Sequence, residues 1–192
     1  MSTTKEFSFD LDERMIKTLA EEFDPQKAVD EFAAAVAGKK GAEVEAIARQ
    51  VFEKYGKDWM KRTLELGERY PDSTYEVLKA AAEKTGALTI PHAPQRAIEI
   101  AYCSTKGILA LPIVENNSRR LVYRMVKCPT YSALANKCGQ EVANALPCKY
   151  ACLAGCETLK QDLGLGVNIE MEAATPEDGF CQFAMNKVRT AT

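Results

Sequence analysis

Val44, Ile47, Ala48, Val51, Phe52 and Tyr55 recur every three or four positions, and the series continues towards Trp59. That period gathers apolar side chains on one side of a helix and leaves the other side polar. Two further helices are predicted around it. Asp24-Pro25 reads as an N-cap followed by proline at the first helical position, with the helix running towards Ala37-Gly38. Asp72-Ser73-Thr74 opens another, through Val77, Leu78, Ala81 and Ala82, that ends near Gly86. Residues 8 to about 86 are therefore expected to be helical, with apolar stripes that serve as packing surface.

The pattern changes after Pro91-His92-Ala93-Pro94. Arg96–Ser104 and Arg119–Lys127 alternate and are rich in β-formers, so both are predicted strands, with Glu115-Asn116-Asn117-Ser118 as turn chemistry between them. A short helix is expected over Tyr131–Lys137, interrupted by Gly139, and Pro147 starts a helix running to about Leu163. Val167–Ala173 and Phe180–Lys187 form a predicted hairpin joined by Thr175-Pro176-Glu177-Asp178-Gly179. These elements imply an α+β fold, with N-terminal helices packed on a C-terminal four-stranded antiparallel sheet and a cysteine-bearing helix. Residues 1–90 make the helical region and 91–192 the cysteine-rich α+β region, read as one continuous domain.

The 192 residues suit a single domain, and 46% hydrophobic content suffices for a core. Net charge is −2 and the cations are interleaved with Asp and Glu, so no basic cluster offers nucleic acid a phosphate track. No apolar run approaches a membrane span, and Met-Ser-Thr-Thr-Lys-Glu-Phe has no apolar signal region. The expectation is a cytoplasmic protein that engages neither nucleic acid nor membrane. Thiols stay reduced in that compartment, and seven cysteines are an odd number for a disulfide framework.

All seven cysteines lie between Cys103 and Cys181, and three are spaced by four in Cys148, Cys152 and Cys156. Thiolates are the ligands of zinc and of iron–sulfur clusters. On one continuous helix the outer pair stands about 12 Å apart along the axis. Two sulfurs on one zinc cannot exceed about 4.6 Å, so adjacent members alone can share a centre. Either Cys148 lies in an unwound segment near Pro147, or one member is a bystander. Cys128 sits at a strand-to-helix turn before Pro129, and Cys181 starts the last strand. The preferred metal site is Cys128, Cys152, Cys156 and Cys181, with Cys148 as the main substitute, for an iron–sulfur cluster (4Fe-4S among the options) or zinc. Cys103 and Cys138 are less committed. Two other readings stay open: inert buried thiols, and a catalytic or redox-active thiol. The spacing is neither CxxxCxxC nor the paired CxxC of a zinc ribbon, and His92, between two prolines, is read as an exposed or capping residue.

Cys128-Pro129-Thr130-Tyr131-Ser132-Ala133-Leu134, then a cysteine opening a helix, then Glu177-Asp178-Gly179-Phe180-Cys181-Gln182-Phe183, resembles the L-2-amino-thiazoline-4-carboxylate hydrolase-like family. The hairpin also resembles the 4-vinyl-reductase small-molecule-binding domain. The resemblance covers roughly residues 96–187 and aligns Cys152 with the family's helical cysteine. It implies a metal held by cysteines and a small organic ligand, with the N-terminal helices shaping a pocket. Where the family has an acidic residue after that cysteine, this chain has Ala154-Gly155-Cys156-Glu157, which favours a fuller thiolate cage over hydrolysis.

Three functions compete. The first is a metal- or cluster-binding protein that recognises a small organic ligand, with Arg119, Arg120, Arg124 and Lys127 able to pair with a carboxylate. The second is a hydrolase opening a small cyclic C–N or C–S bond through a Cys thiolate or a metal-bound water, with Glu157 and Asp162 as acid–base partners. The third is a regulatory or interaction subunit whose helical stripe forms a homodimer.

Overall fold

The first two helices begin where an aspartate supplies a cap. The computed structural model describes residues 11–74, 76, 77, 80, 84, 92–109 and 111–188. In α1 (Glu13–Glu22) the Asp12 carboxylate accepts the Arg14 amide at 2.9 Å. In α2 (Pro25–Ala35) Asp24 accepts the Gln26 amide at 3.0 Å, and Pro25 occupies the first helical turn as expected. The long α3 (Ala42–Arg69) starts after Gly41, whose φ of 53° suits glycine, and carries Glu43 and Glu45 in its first turn. Its Ala48, Val51, Phe52 and Trp59 are buried within the chain's own core. These four positions of the stripe pack inside the chain, while Val44, Ile47 and Tyr55 are half-buried. Ser73, Thr74, Glu76 and Val77 are helical, whereas Leu78, Ala81 and Ala82 lie outside the described residues.

The strand expected over Arg96–Ser104 is instead a helix, α4 (His92–Cys103). Ala97, Ile98, Ile100, Ala101 and Tyr102 are all buried, together with Gln95, Arg96 and Glu99. Its polar stripe, Gln95, Arg96 and Glu99, is buried with the rest and only three residues long, a weak helical signal. The chance alternation of Ile98, Ile100 and Tyr102 then reads as a strand. Its buried charge is matched: Arg96 Nε donates to Asp72 Oδ2 at 2.6 Å.

The first strand falls later, as β1 (Ile113–Asn116), so Glu115 and Asn116 belong to a strand rather than to the turn. The turn is Asn117-Ser118-Arg119, where Asn117 Oδ1 accepts the amides of Arg119 and Arg120 at 2.9 and 3.0 Å. There follow β2 (Arg120–Val126), α5 (Pro129–Cys138), α6 (Gln140–Asn144), α7 (Lys149–Asp162), β3 (Val167–Ala173), a single turn α8 (Thr175–Asp178) and β4 (Phe180–Lys187). The order in the sheet is β1-β2-β4-β3, every pair antiparallel. The fold class is α+β, with helices leading into a C-terminal sheet. The β3–β4 connection forms where expected, and Gly179 closes α8 with φ 77°.

Alternation in β2 and β4 turns Leu121, Tyr123 and Met125, with Cys181, Phe183 and Met185, towards the helices. One apolar cluster runs from Leu11 to Met185 and joins both halves of the chain. α3 and α7 pack tightly at Gly56 and Ala151, where a methyl on Gly56 would run into the Ala151 backbone. Among the described residues no helix is long and apolar enough to cross a membrane.

Candidate thiol-lined site

Cys128, Cys148, Cys152 and Cys181 line one cavity. They reach it from three local structures. Cys128 follows β2 and precedes Pro129, which holds it extended (φ −58°, ψ 118°) as the N-cap of α5. Lys127, at φ 58°, turns the chain just before it. Cys148 is the N-cap of α7 with φ −66° and ψ −14°, after Leu146 (φ 53°) and Pro147. Cys152 lies one turn further along α7. Cys181 faces inward from β4 opposite Met125.

Three of the four thiols are nearly buried, Cys128 at 7% exposure and Cys148 and Cys181 at 6%, while Cys152 is half-buried. None of the seven cysteines forms a disulfide. The remaining wall is aromatic and aliphatic, including Phe52, Tyr55, Trp59, Tyr102 and Phe183, and Lys149 contributes a cation at the rim. The enclosed space is about 30 Å3, roughly two to three times what one water requires. A drug-sized ligand occupies about 300 Å3 or more. A compact group therefore fits between the thiols, whereas an organic molecule of ordinary size does not.

Burial pushes the Cys128 thiol up; the nearby Tyr131 and Thr130 amides oppose this without closing a full capping hydrogen bond, and Cys181 adds to the rise. Cys148 is pushed well up by burial and then by Cys128, Cys152 and Cys181. Cys152 is likewise raised well above the usual thiol range, by burial first and Cys128 next, with the Tyr102 hydroxyl opposing the shift. These thiols are protonated at neutral pH and lack the thiolate that a nucleophile requires. Their mutual repulsion on ionisation is what a bound multivalent cation relieves.

Cys156, a member of the preferred sequence set, does not line the cavity. It is fully buried one turn beyond Cys152, with its sulfur 3.2 Å from the Tyr123 hydroxyl. Burial raises its thiol to about 11, and the Tyr123 hydroxyl limits the rise. Cys148, the substitute, stands on the cavity wall instead, in the turn just before α7. Cys103 and Cys138 are half-buried and do not line the cavity. Among the described residues, no three His, Cys, Asp or Glu side chains are arranged to hold a single metal ion. An iron–sulfur cluster places each thiolate on its own iron, so its ligands stand farther apart than those on one ion. The four free thiols share one cavity wall.

The expected carboxylate-binding cations sit elsewhere. Arg120 and Arg124 project from the sheet face opposite Tyr123 and Met125. There Arg120 pairs with Glu172 at 2.5 Å, and Arg124 Nε donates to Gln182 at 2.6 Å while its guanidinium covers Phe180. Arg119 and Lys127 are exposed and away from the cavity wall. Glu157 pairs with Lys160 at 3.1 Å, and Asp162 is exposed near the end of α7. Sequence reasoning missed Lys149, Tyr102 and Trp59 as lining residues; only Trp59 carried a signal, as the far end of the α3 stripe. Comparison with protein-family models, curated proteins and solved structures finds no match.

Proposed function

We propose that the protein binds an iron–sulfur cluster through Cys128, Cys148, Cys152 and Cys181 and presents it to a small organic ligand. The observation that carries this reading is the convergence of four unpaired thiols, from a strand end, a helix start and a second strand, on one cavity. When bound, such a centre supplies electron transfer or a Lewis-acidic iron. The chain's own part is to hold four thiolates in place and to keep water away with aromatic walls. An organic ligand belongs outside the cavity, in the adjoining cleft of about 430 Å3 that shares Leu146 and Lys149 with the cavity wall. Lys149 would face an anionic group there. The resemblance to the thiazoline-carboxylate hydrolase-like family is part of the same proposal. Hydrolysis by a free thiolate has less support, because burial raises the Cys128, Cys148 and Cys152 thiols and so disfavours their thiolates.

Anaerobic purification followed by iron and acid-labile sulfide analysis tests the reading. Stoichiometric iron and sulfide with broad visible absorption supports it. Protein that stays colourless and metal-free after anaerobic reconstitution with ferrous iron and sulfide overturns it.

A further inference from the structure

Trp59 lines the thiol cavity, is 3% exposed, and its indole N–H has no hydrogen-bond partner. Among the described residues one other buried side-chain nitrogen lacks a hydrogen bond, Arg120 Nε. That atom lies on the opposite face of the sheet, 3.5 Å from Glu115 Oε2. A buried unpaired N–H is costly, so its presence on a cavity wall calls for an acceptor. The Thr105 and Tyr102 hydroxyls share the cavity wall, and neither accepts from the indole N–H.

The indole is also clamped. Tyr55 stacks on it at 6.0 Å, and Tyr102 meets it edge-on at 4.9 Å. Its N–H direction is therefore set by packing rather than by the group it would serve, which is the arrangement of a preorganised donor. We propose that the Trp59 indole N–H is the hydrogen-bond donor to the group held by the four thiols, with a sulfide or cysteinate sulfur as acceptor. The proposal rests on the cluster reading above. An N–H···S bond favours the more negative state of a cluster and so raises its reduction potential.

Trp59 is the only tryptophan in the chain, so its spectrum reports on this site alone. The test uses full-length protein reconstituted anaerobically with ferrous iron and sulfide. Ultraviolet resonance Raman of the loaded wild type should place the N–H-sensitive indole band at the hydrogen-bonded position. The Trp59→Phe variant, with iron and sulfide content unchanged, should show a lower midpoint potential. An indole band at the free N–H position in loaded protein overturns the proposal, and that measurement stands even if the variant does not fold. An unchanged potential in a fully loaded variant overturns it as well. Wild-type protein that takes up no iron and sulfide overturns the cluster reading itself, and this proposal with it.

Discussion

Gly56→Ala tests the contact that positions α7, the helix bearing Cys148 and Cys152. The added methyl would lie 2.1 Å from the Ala151 carbonyl oxygen, 2.7 Å from its carbon and 2.8 Å from its Cα. Ordinary carbon–oxygen contacts are about 3.3 Å or longer, so α3 and α7 must part by about 1 Å. All three obstructing atoms are backbone, which leaves no rotamer change to relieve the clash. Overpacking of this kind costs about 3 kcal/mol, at the upper end of its usual range. Alanine's better helix propensity returns about 1 kcal/mol. The net loss is about 2 kcal/mol, which lowers the midpoint of thermal unfolding by roughly 4–8 °C in a domain of this size. Gly155→Ala is the matched control. Its methyl would meet Gly56 oxygen at 3.5 Å and Met60 at 3.7 Å, ordinary contacts, so stability should hold or rise slightly. Thermal melts followed by circular dichroism, with urea midpoints beside them, separate the two variants. Gly56→Ala as stable as wild type would refute the close approach of α3 and α7.

Alanine at Cys128, Cys148, Cys152 or Cys181 should sharply reduce iron and sulfide after reconstitution, whereas Cys156→Ala and Cys138→Ala should load like wild type. Equal loading by Cys148→Ala and wild type would remove Cys148 from the ligand set. Asp72→Ala strips Arg96 of a carboxylate 2.6 Å away in a nearly dry setting, so urea denaturation should show a loss of about 3 kcal/mol. Cys156 carries a pH dependence of known sign: its thiol stays protonated up to about 11, against an ordinary value of 9.0. The unfolded chain releases that proton first, so the associated stability is complete below pH 9 and disappears between about 9 and 11. Two units correspond to about 2–3 kcal/mol. Cys156→Ala should flatten that part of the urea-midpoint profile, and an unchanged slope would count against the burial assigned to this thiol.

Local chemistry was readable from the chain wherever a single residue dictates the backbone. Asp24-Pro25 caps α2, Cys128-Pro129 ends a strand and starts a helix, and Gly179 turns the last hairpin, all at the expected places. Period-based inference failed for α4, because the alternation of Ile98, Ile100 and Tyr102 outweighs the short polar stripe of Gln95, Arg96 and Glu99. β1 escaped notice because it is four residues long and irregular between Ile113 and Glu115. The thiol set was legible in outline: spacing along a helix showed that the triplet could not act as one. Which end drops out depends on the rotation of α7 about its axis. That rotation is fixed by Gly56 against Ala151 and by Tyr123 beside Cys156, contacts between segments far apart in sequence. Trp59 and Tyr102 join the wall for the same reason, and no local pattern announces it.

The four thiols come from the end of β2, the start of α7 and the start of β4. A centre bound to all of them would knot together three stretches that are otherwise free to separate when the chain opens. It would act on the unfolded protein as cross-links do, by shrinking the number of conformations the C-terminal half can explore. The N-terminal helices lie outside those closed loops and gain nothing directly. Loading would then make the protein mechanically uneven: a C-terminal half that opens last, and helices α1 and α2 that are the first to yield to a protease.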